Sequence, residues 1–192
     1  IPTAYLINRL KGINIFEVGS GNMGAANTIR ALGFWWGILV MLLDMLKGVG
    51  AIIVGRALVP ENPSLAGVVA AIVVLIGHNW SLFAALITGK IRGGKGAATL
   101  LGTLIAIAPP YLTAAIALIG ALLIWATRYI SLAVLVAVAV MFVWMLVLIM
   151  QNVLTPEYLV YTLTVTILVF VRFRGNIQRL LAGTERRLGE PA

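Results

Sequence analysis

Residues Ala97–Ala126 read AATLLGTLIAIAPPYLTAAIALIGALLIWA. One crossing of a bilayer takes roughly 20 residues, with a range of about 17–25, so this apolar run is too long for a single span. Its centre holds Pro109-Pro110, which removes two backbone donors and breaks a helix. Whether the run crosses once or twice decides which of the remaining loops share a face of the membrane.

Working outward, the other apolar segments are Gly33–Val59, Leu65–Leu86, Tyr129–Met150 and Tyr158–Val171. Cations cluster between them: Arg9, Lys11 and Arg30, then Lys90, Arg92 and Lys95, then Arg128, then Arg172, Arg174, Arg179, Arg186 and Arg187. The connections Pro60–Ser64 and Gln151–Glu157 hold no cation and one acid each, Glu61 and Glu157. Cationic loops belong on the cytoplasmic face, and they share it only if Ala97–Ala126 crosses twice, turning at Pro109-Pro110. Its halves are then short, which implies thin or tilted helices. The chain opens without methionine, so a truncated first helix ending near Leu10 is expected. The expected fold is an all-α integral membrane bundle of seven transmembrane helices, amino end outside and carboxyl end inside.

Composition agrees with the membrane. The chain is 61% hydrophobic and 10% charged, with a mean hydropathy of +1.06, against roughly 25% charged residues in soluble domains. One domain, residues 1–192, is expected, with no stretch polar enough for a second. The absence of cysteine excludes disulfides and thiolate metal sites, and a lone histidine excludes a multi-histidine one. No metal or other cofactor is implied. The net charge of +8 suits membrane lipid headgroups or a phosphorylated substrate. Because the cations sit between spans, nucleic acid is not expected as a partner.

Three polar interruptions carry the chemistry: Gly19-Ser20-Gly21-Asn22-Met23-Gly24-Ala25-Ala26-Asn27, Arg92-Gly93-Gly94-Lys95-Gly96-Ala97-Ala98-Thr99 and Arg172-Phe173-Arg174-Gly175-Asn176-Ile177-Gln178-Arg179. Glycines let backbone N–H groups approach a ligand, and amides, hydroxyls and nearby cations complete an anion site. On the expected topology all three face the cytoplasm. The second is no Walker loop, since the G-x-x-x-x-G-K-[ST] spacing is absent. The plain alternatives are a flexible interfacial turn for the first, a topology signal for the second and a helix lying on anionic lipid for the third. Trp35 and Trp36 read as interface anchors. Asp44 and Lys47 share a helix face and can pair, with structural pairing and substrate contact both open. His78 lies in a polar patch, Gly77-His78-Asn79-Trp80, as either a packing residue or a general base or substrate-orienting group.

In this order and over nearly the whole chain, these residues resemble the bacterial acylphosphate:glycerol-3-phosphate acyltransferase family, PlsY. The resemblance rests on Gly19–Gly24 with Asn27 and Arg30, Leu43-Asp44 with Lys47-Gly48, Gly77-His78, Gly93–Gly96 with Thr99, and Arg172, Arg174, Asn176, Ile177 and Arg179–Leu181 with Gly183 and Glu185. Ala26 stands where the family usually has threonine, and Phe173 where histidine is common. The resemblance implies transfer of a fatty acyl group from acyl phosphate to the 1-hydroxyl of glycerol 3-phosphate, giving lysophosphatidic acid and phosphate. This is the first acylation in bacterial phospholipid synthesis. It further implies a bacterial inner-membrane location, an active site facing the cytoplasm and transient contact with the enzyme that makes acyl phosphate.

Fitted to that chemistry, Ser20, Asn22, His78 and Lys95 are the catalytic candidates. Gly19, Gly21, Gly24, Asn27, Arg30 and Lys47 are expected to bind substrate, with Gly93, Gly94, Gly96, Thr99, Asn176 and Arg179. No Ser-His-Asp set is evident, although Ser20 and His78 can meet, so direct transfer without an acyl-enzyme is expected. The rival reading is a transporter of a small phosphorylated anion, since glycine-broken loops are also transporter devices. A headgroup phosphotransferase needs clustered aspartates for Mg²⁺, and Asp44 is the only aspartate.

Overall fold

The computed structural model describes residues 1–190; among them the regular structure is helical, with one isolated antiparallel bridge between Ser81 and Arg92 in the connecting loops. In chain order the helices are α1 (Thr3–Leu10), α2 (Ala25–Leu32), α3 (Phe34–Leu58), α4 (Pro63–Asn79), α5 (Leu82–Thr88), α6 (Ala97–Ile107), α7 (Pro110–Thr127), α8 (Ile130–Met150) and α9 (Tyr158–Leu181). Helices α3, α7, α8 and α9 are long and apolar enough to cross a membrane, while α4 and α6 are apolar but shorter. The exterior carries large side chains such as Leu46, Val73, Leu122 and Ile167 facing outward. The protein is an all-α integral membrane protein.

The long apolar run breaks at its prolines. Helix α6 stops at Ile107 and α7 starts at Pro110, and the Thr113 hydroxyl donates to the Leu104 carbonyl at 3.3 Å. In a continuous helix those residues would stand about 13 Å apart, so the chain folds back on itself. At 11 residues, α6 is about 16 Å long and its last carbonyls need donors from outside the helix. Arg56 supplies one, donating to the Ala106 carbonyl at 3.1 Å and to the Tyr158 hydroxyl at 3.1 Å.

Two boundaries differ from the sequence reading. The segment Leu65–Leu86 is not one span: α4 ends at Asn79, and Ser81 caps a separate α5 by accepting from the Ala84 amide at 3.2 Å. The last span does not end at Val171 with a separate surface helix after it. Helix α9 continues to Leu181, because Arg172, Asn176 and Arg179 recur at helical spacing and give it one polar face.

Helix α3 is the centre of one half of the bundle, packed against α2, α4 and α6, and α8 joins α7 to α9. The α3–α6 crossing depends on two glycines. A Cβ at Gly48 would lie 2.5 Å from the Thr99 carbonyl, and one at Gly102 would run into the backbone of Met45. Small residues at such crossings let helix backbones touch. The contact sets Asp44 and Lys47 of α3 beside the start of α6. Ile52, Leu75, Leu104, Met141, Tyr161 and Val165 fill the main core.

Candidate active site

The three polar interruptions meet at one end of the bundle. Loop Gly12–Gly24 is held from inside by Asn27, which is 1% exposed. Its amide donates to the carbonyls of Ile15 (3.1 Å) and Val18 (2.9 Å) and accepts from the Ser20 amide (3.2 Å). Asn27 is therefore a brace, and the loop side chains that reach the two cavities at this end of the bundle are Ser20 and Asn22.

The second interruption is clamped from both sides. The Gly94 amide donates to the His78 carbonyl at 3.0 Å, and Arg172 donates to the Gly94 carbonyl from Nη2 (2.8 Å) and Nε (3.2 Å). A side chain at position 94 would fall on the His78 ring, so glycine is the residue that fits. Lys95 projects away from the clamp, donates to Asn176 Oδ1 at 2.6 Å and stands 5.2 Å over the Phe173 ring. Phe173, one of the two departures from the family pattern, is buried and gives the ammonium an aromatic face.

Asn176 passes the contact on. Its amide and the Ser131 hydroxyl (2.8 Å) donate to Glu185 Oε1, and Arg179 Nε donates to Oε2 at 2.7 Å. Burial opposes ionisation of Glu185, but these donors and the Arg179 charge outweigh it and hold the carboxyl below its ordinary range. Lys95 moves the other way. Burial first, then Arg179, Arg172 and Arg30, push its ammonium down to about 8 against the opposing pull of Glu185. Among the described residues Arg30 has a buried Nε with no partner. The cluster therefore holds more cations than carboxylates.

Two cavities adjoin here. One, of about 450 Å³, is polar and lies between the Ser20 loop, Arg92-Gly93 and the Arg172–Arg179 face of α9. The other, of about 700 Å³, starts at Asn22, Arg30 and Lys95 and runs down an apolar wall of α3, α6, α7 and α8 as far as Leu104, Ile116 and Met141. Ser20, Asn22, Lys95, Asn176 and Arg179 line both.

Of the candidates from sequence, Gly21 and Gly93 also line the polar cavity, and Gly24, Asn27, Arg30, His78 and Gly96 the apolar one. Gly19, Lys47, Gly94 and Thr99 line neither, and Thr99 is fully buried beneath the loop. Lys47 is engaged elsewhere, 2.6 Å from Asp44 Oδ1 and 2.6 Å from His78 Nδ1. Ser20 and His78 make no hydrogen bond to each other; the ring is bonded to Lys47 instead. The sequence reading missed Asn79, buried with an unpartnered Oδ1 and lining the polar cavity, and the roles of Arg172 and Glu185. The helical spacing of Arg172 with Asn176 and Arg179 was the available signal for the second.

The family described as Glycerol-3-phosphate acyltransferase matches residues 1–183. A "Glycerol-3-phosphate acyltransferase 2" of Moorella thermoacetica is 43% identical, over 99% of this chain and 92% of its own length. The glycerol-3-phosphate acyltransferase of Halalkalibacterium halodurans is 40% identical, over 98% and 89%. The crystal structure of PlsY, an integral membrane glycerol 3-phosphate acyltransferase in its glycerol 3-phosphate form, superposes with a TM-score of 0.85 at 33% identity, over 98% of this chain and 89% of that one. Its lysophosphatidic acid form gives 0.82 at 32%. With the family matched across nearly all of its length and the fold shared with PlsY, this chain belongs to the PlsY family of integral membrane glycerol-3-phosphate acyltransferases.

Proposed function

We propose that the protein transfers a fatty acyl group from acyl phosphate directly to the 1-hydroxyl of sn-glycerol 3-phosphate, releasing lysophosphatidic acid and phosphate. The observation that carries this reading is the shared wall of the two cavities. The polar one suits a small phosphorylated alcohol, the apolar one suits an acyl chain, and Ser20, Asn22, Lys95, Asn176 and Arg179 stand between them. The membrane-embedded setting and the family's named activity support the same assignment.

In this reading Lys95 and Arg30 neutralise phosphate groups, and Asn176 and Arg179 complete the glycerol phosphate pocket. Ser20, Asn22 and the loop amides hold the reacting carbonyl. The 1-hydroxyl oxygen bonds to the acyl carbon, the bond from that carbon to the phosphate oxygen breaks, and the hydroxyl proton passes to a substrate phosphate. The test is phosphate release from acyl phosphate by purified protein. Release that requires glycerol 3-phosphate and matches the lysophosphatidic acid formed supports the assignment, while release indifferent to glycerol 3-phosphate contradicts it.

The proposed orientation counts seven helices set across the membrane: α1, then α3, α4, α6, α7, α8 and α9. The site then opens to the cytoplasm at the bacterial inner membrane. The chain lacks cysteine, so single cysteines report cleanly. Those at Asn22, Lys90 and Gln178 are expected to resist an impermeant external reagent and one at Asn152 to react. External labelling at position 90 would overturn the orientation.

A further inference from the structure

Asp44, Lys47 and His78 form a buried set behind the second interruption, their side chains only 3%, 14% and 8% exposed. Lys47 Nζ lies 2.6 Å from Asp44 Oδ1 and 2.6 Å from His78 Nδ1, while Asp44 Oδ1 stands 4.0 Å from that ring nitrogen, beyond hydrogen-bond reach. A lysine paired with a carboxylate at that distance is an ammonium, and an ammonium has three donors and no lone pair. Nδ1 must therefore accept, which leaves the single proton of a neutral imidazole on Nε2. That edge of the ring packs close to Gly94, where a Cβ would fall on Nε2, so only glycine there leaves it room. His78 also lines the apolar cavity, as Lys95 does, and among the described residues Nε2 has no hydrogen-bond partner.

We propose that Lys47, anchored by Asp44, locks His78 as the Nε2–H tautomer, so that the ring presents a fixed neutral donor to the acyl carbonyl and does not act as a base. A nitrogen that already carries a proton cannot take one from Ser20 or from a substrate hydroxyl. His78 keeps its proton throughout and supplies a hydrogen bond to the carbonyl oxygen as negative charge develops there. Lys47 lines neither cavity and Asp44 borders the apolar one; both act through the ring as positioning residues, the carboxylate holding the ammonium and the ammonium fixing the tautomer. The choice of the acyl carbonyl as acceptor rests on the acyltransferase reading; the tautomer does not.

The chain has one histidine, so ¹⁵N-histidine labelling of the intact protein in detergent gives one pair of ring resonances. At neutral pH the expected spectrum shows an unprotonated Nδ1 and a protonated Nε2. A proton on Nδ1, or an imidazolium, overturns the lock, and the wild-type spectrum decides this even if no variant folds. In Lys47→Met the lock is expected to be lost, giving mixed tautomers or an imidazolium facing Asp44; an unchanged spectrum overturns the role of Lys47. For the donor role, His78→Gln, which keeps an N–H in reach, is expected to retain at least tenfold more turnover than His78→Ala, and equal losses overturn it. Should the wild-type protein transfer no acyl group at all, the functional reading fails while the spectrum still judges the tautomer.

Discussion

Asp44, Lys47 and His78 lie on one side of the Gly93–Gly96 loop, and Lys95, Arg172, Asn176, Arg179 and Glu185 lie on the other. In the inner group the one cation has its carboxylate and its acceptor, and Lys47 reaches neither cavity. In the outer group Arg172 is held by carbonyls and the Trp80 ring, Lys95 by an amide and a ring, and Glu185 is shared among Ser131, Asn176 and Arg179, while among the described residues Arg30 has an unpartnered Nε. The difference separates two uses of charge. A closed set fixes geometry, whereas a set with surplus cations around a cavity holds an incoming anion.

Breaking each group should therefore fail differently. The largest effect is expected from Asp44→Asn, which leaves the Lys47 ammonium buried without its carboxylate. The loss is on the order of 3–5 kcal/mol of stability, read as a lower midpoint of thermal unfolding in detergent. An unchanged midpoint would mean that the inner set does not hold the fold. Lys95→Ala should leave the midpoint nearly unaltered and lower turnover roughly 10- to 150-fold, since charge-assisted contacts contribute about 1.5–3 kcal/mol. Arg30→Ala should act chiefly on glycerol 3-phosphate, raising its KM about tenfold. If both cation variants keep native kinetics, the outer group is not the phosphate site.

The outer group also predicts a pH dependence that the inner one does not. With its pKa near 8, Lys95 is charged below that value and loses its charge as pH rises through it. Turnover should fall about fivefold between pH 8 and 9 as the charged fraction falls, and Lys95→Arg should flatten the fall. The smallest effect is expected in the apolar cavity. Ala137→Phe, on its α8 wall, should shift preference toward shorter acyl chains while the KM for glycerol 3-phosphate stays constant. A shift in that KM instead would mean that the two cavities are not separate subsites.

The legible parts of the molecule were those where local chemistry decides. Pro109-Pro110 interrupts helix hydrogen bonding wherever it lies, so the break between α6 and α7 could be read directly. The three interruptions could be expected at one end of the bundle because the cation pattern puts them on one face, and they do line one cavity. What escaped depended on partners distant in sequence. The end of α4 at Asn79 is fixed by Ser81 pairing with Arg92, a contact hidden inside an apolar run. For Lys47 the pairing with Asp44, three residues away, was legible and is present, but the contact with His78, 31 residues away, was not. Asn27 looked like a ligand group because nothing local shows an amide bracing the carbonyls of Ile15 and Val18. Helix α9 was cut short because a row of cations reads as surface until the loop it faces is known.

Direct transfer across the shared wall requires both cavities to be filled at once, and initial rates with acyl phosphate and glycerol 3-phosphate varied together test this most directly. The expected result is a family of intersecting double-reciprocal lines, with no acyl adduct on the protein by intact mass when acyl phosphate is given alone. Parallel lines, with an acyl group mapped to Ser20 that forms and disappears at competent rates, would show a covalent route and contradict the account.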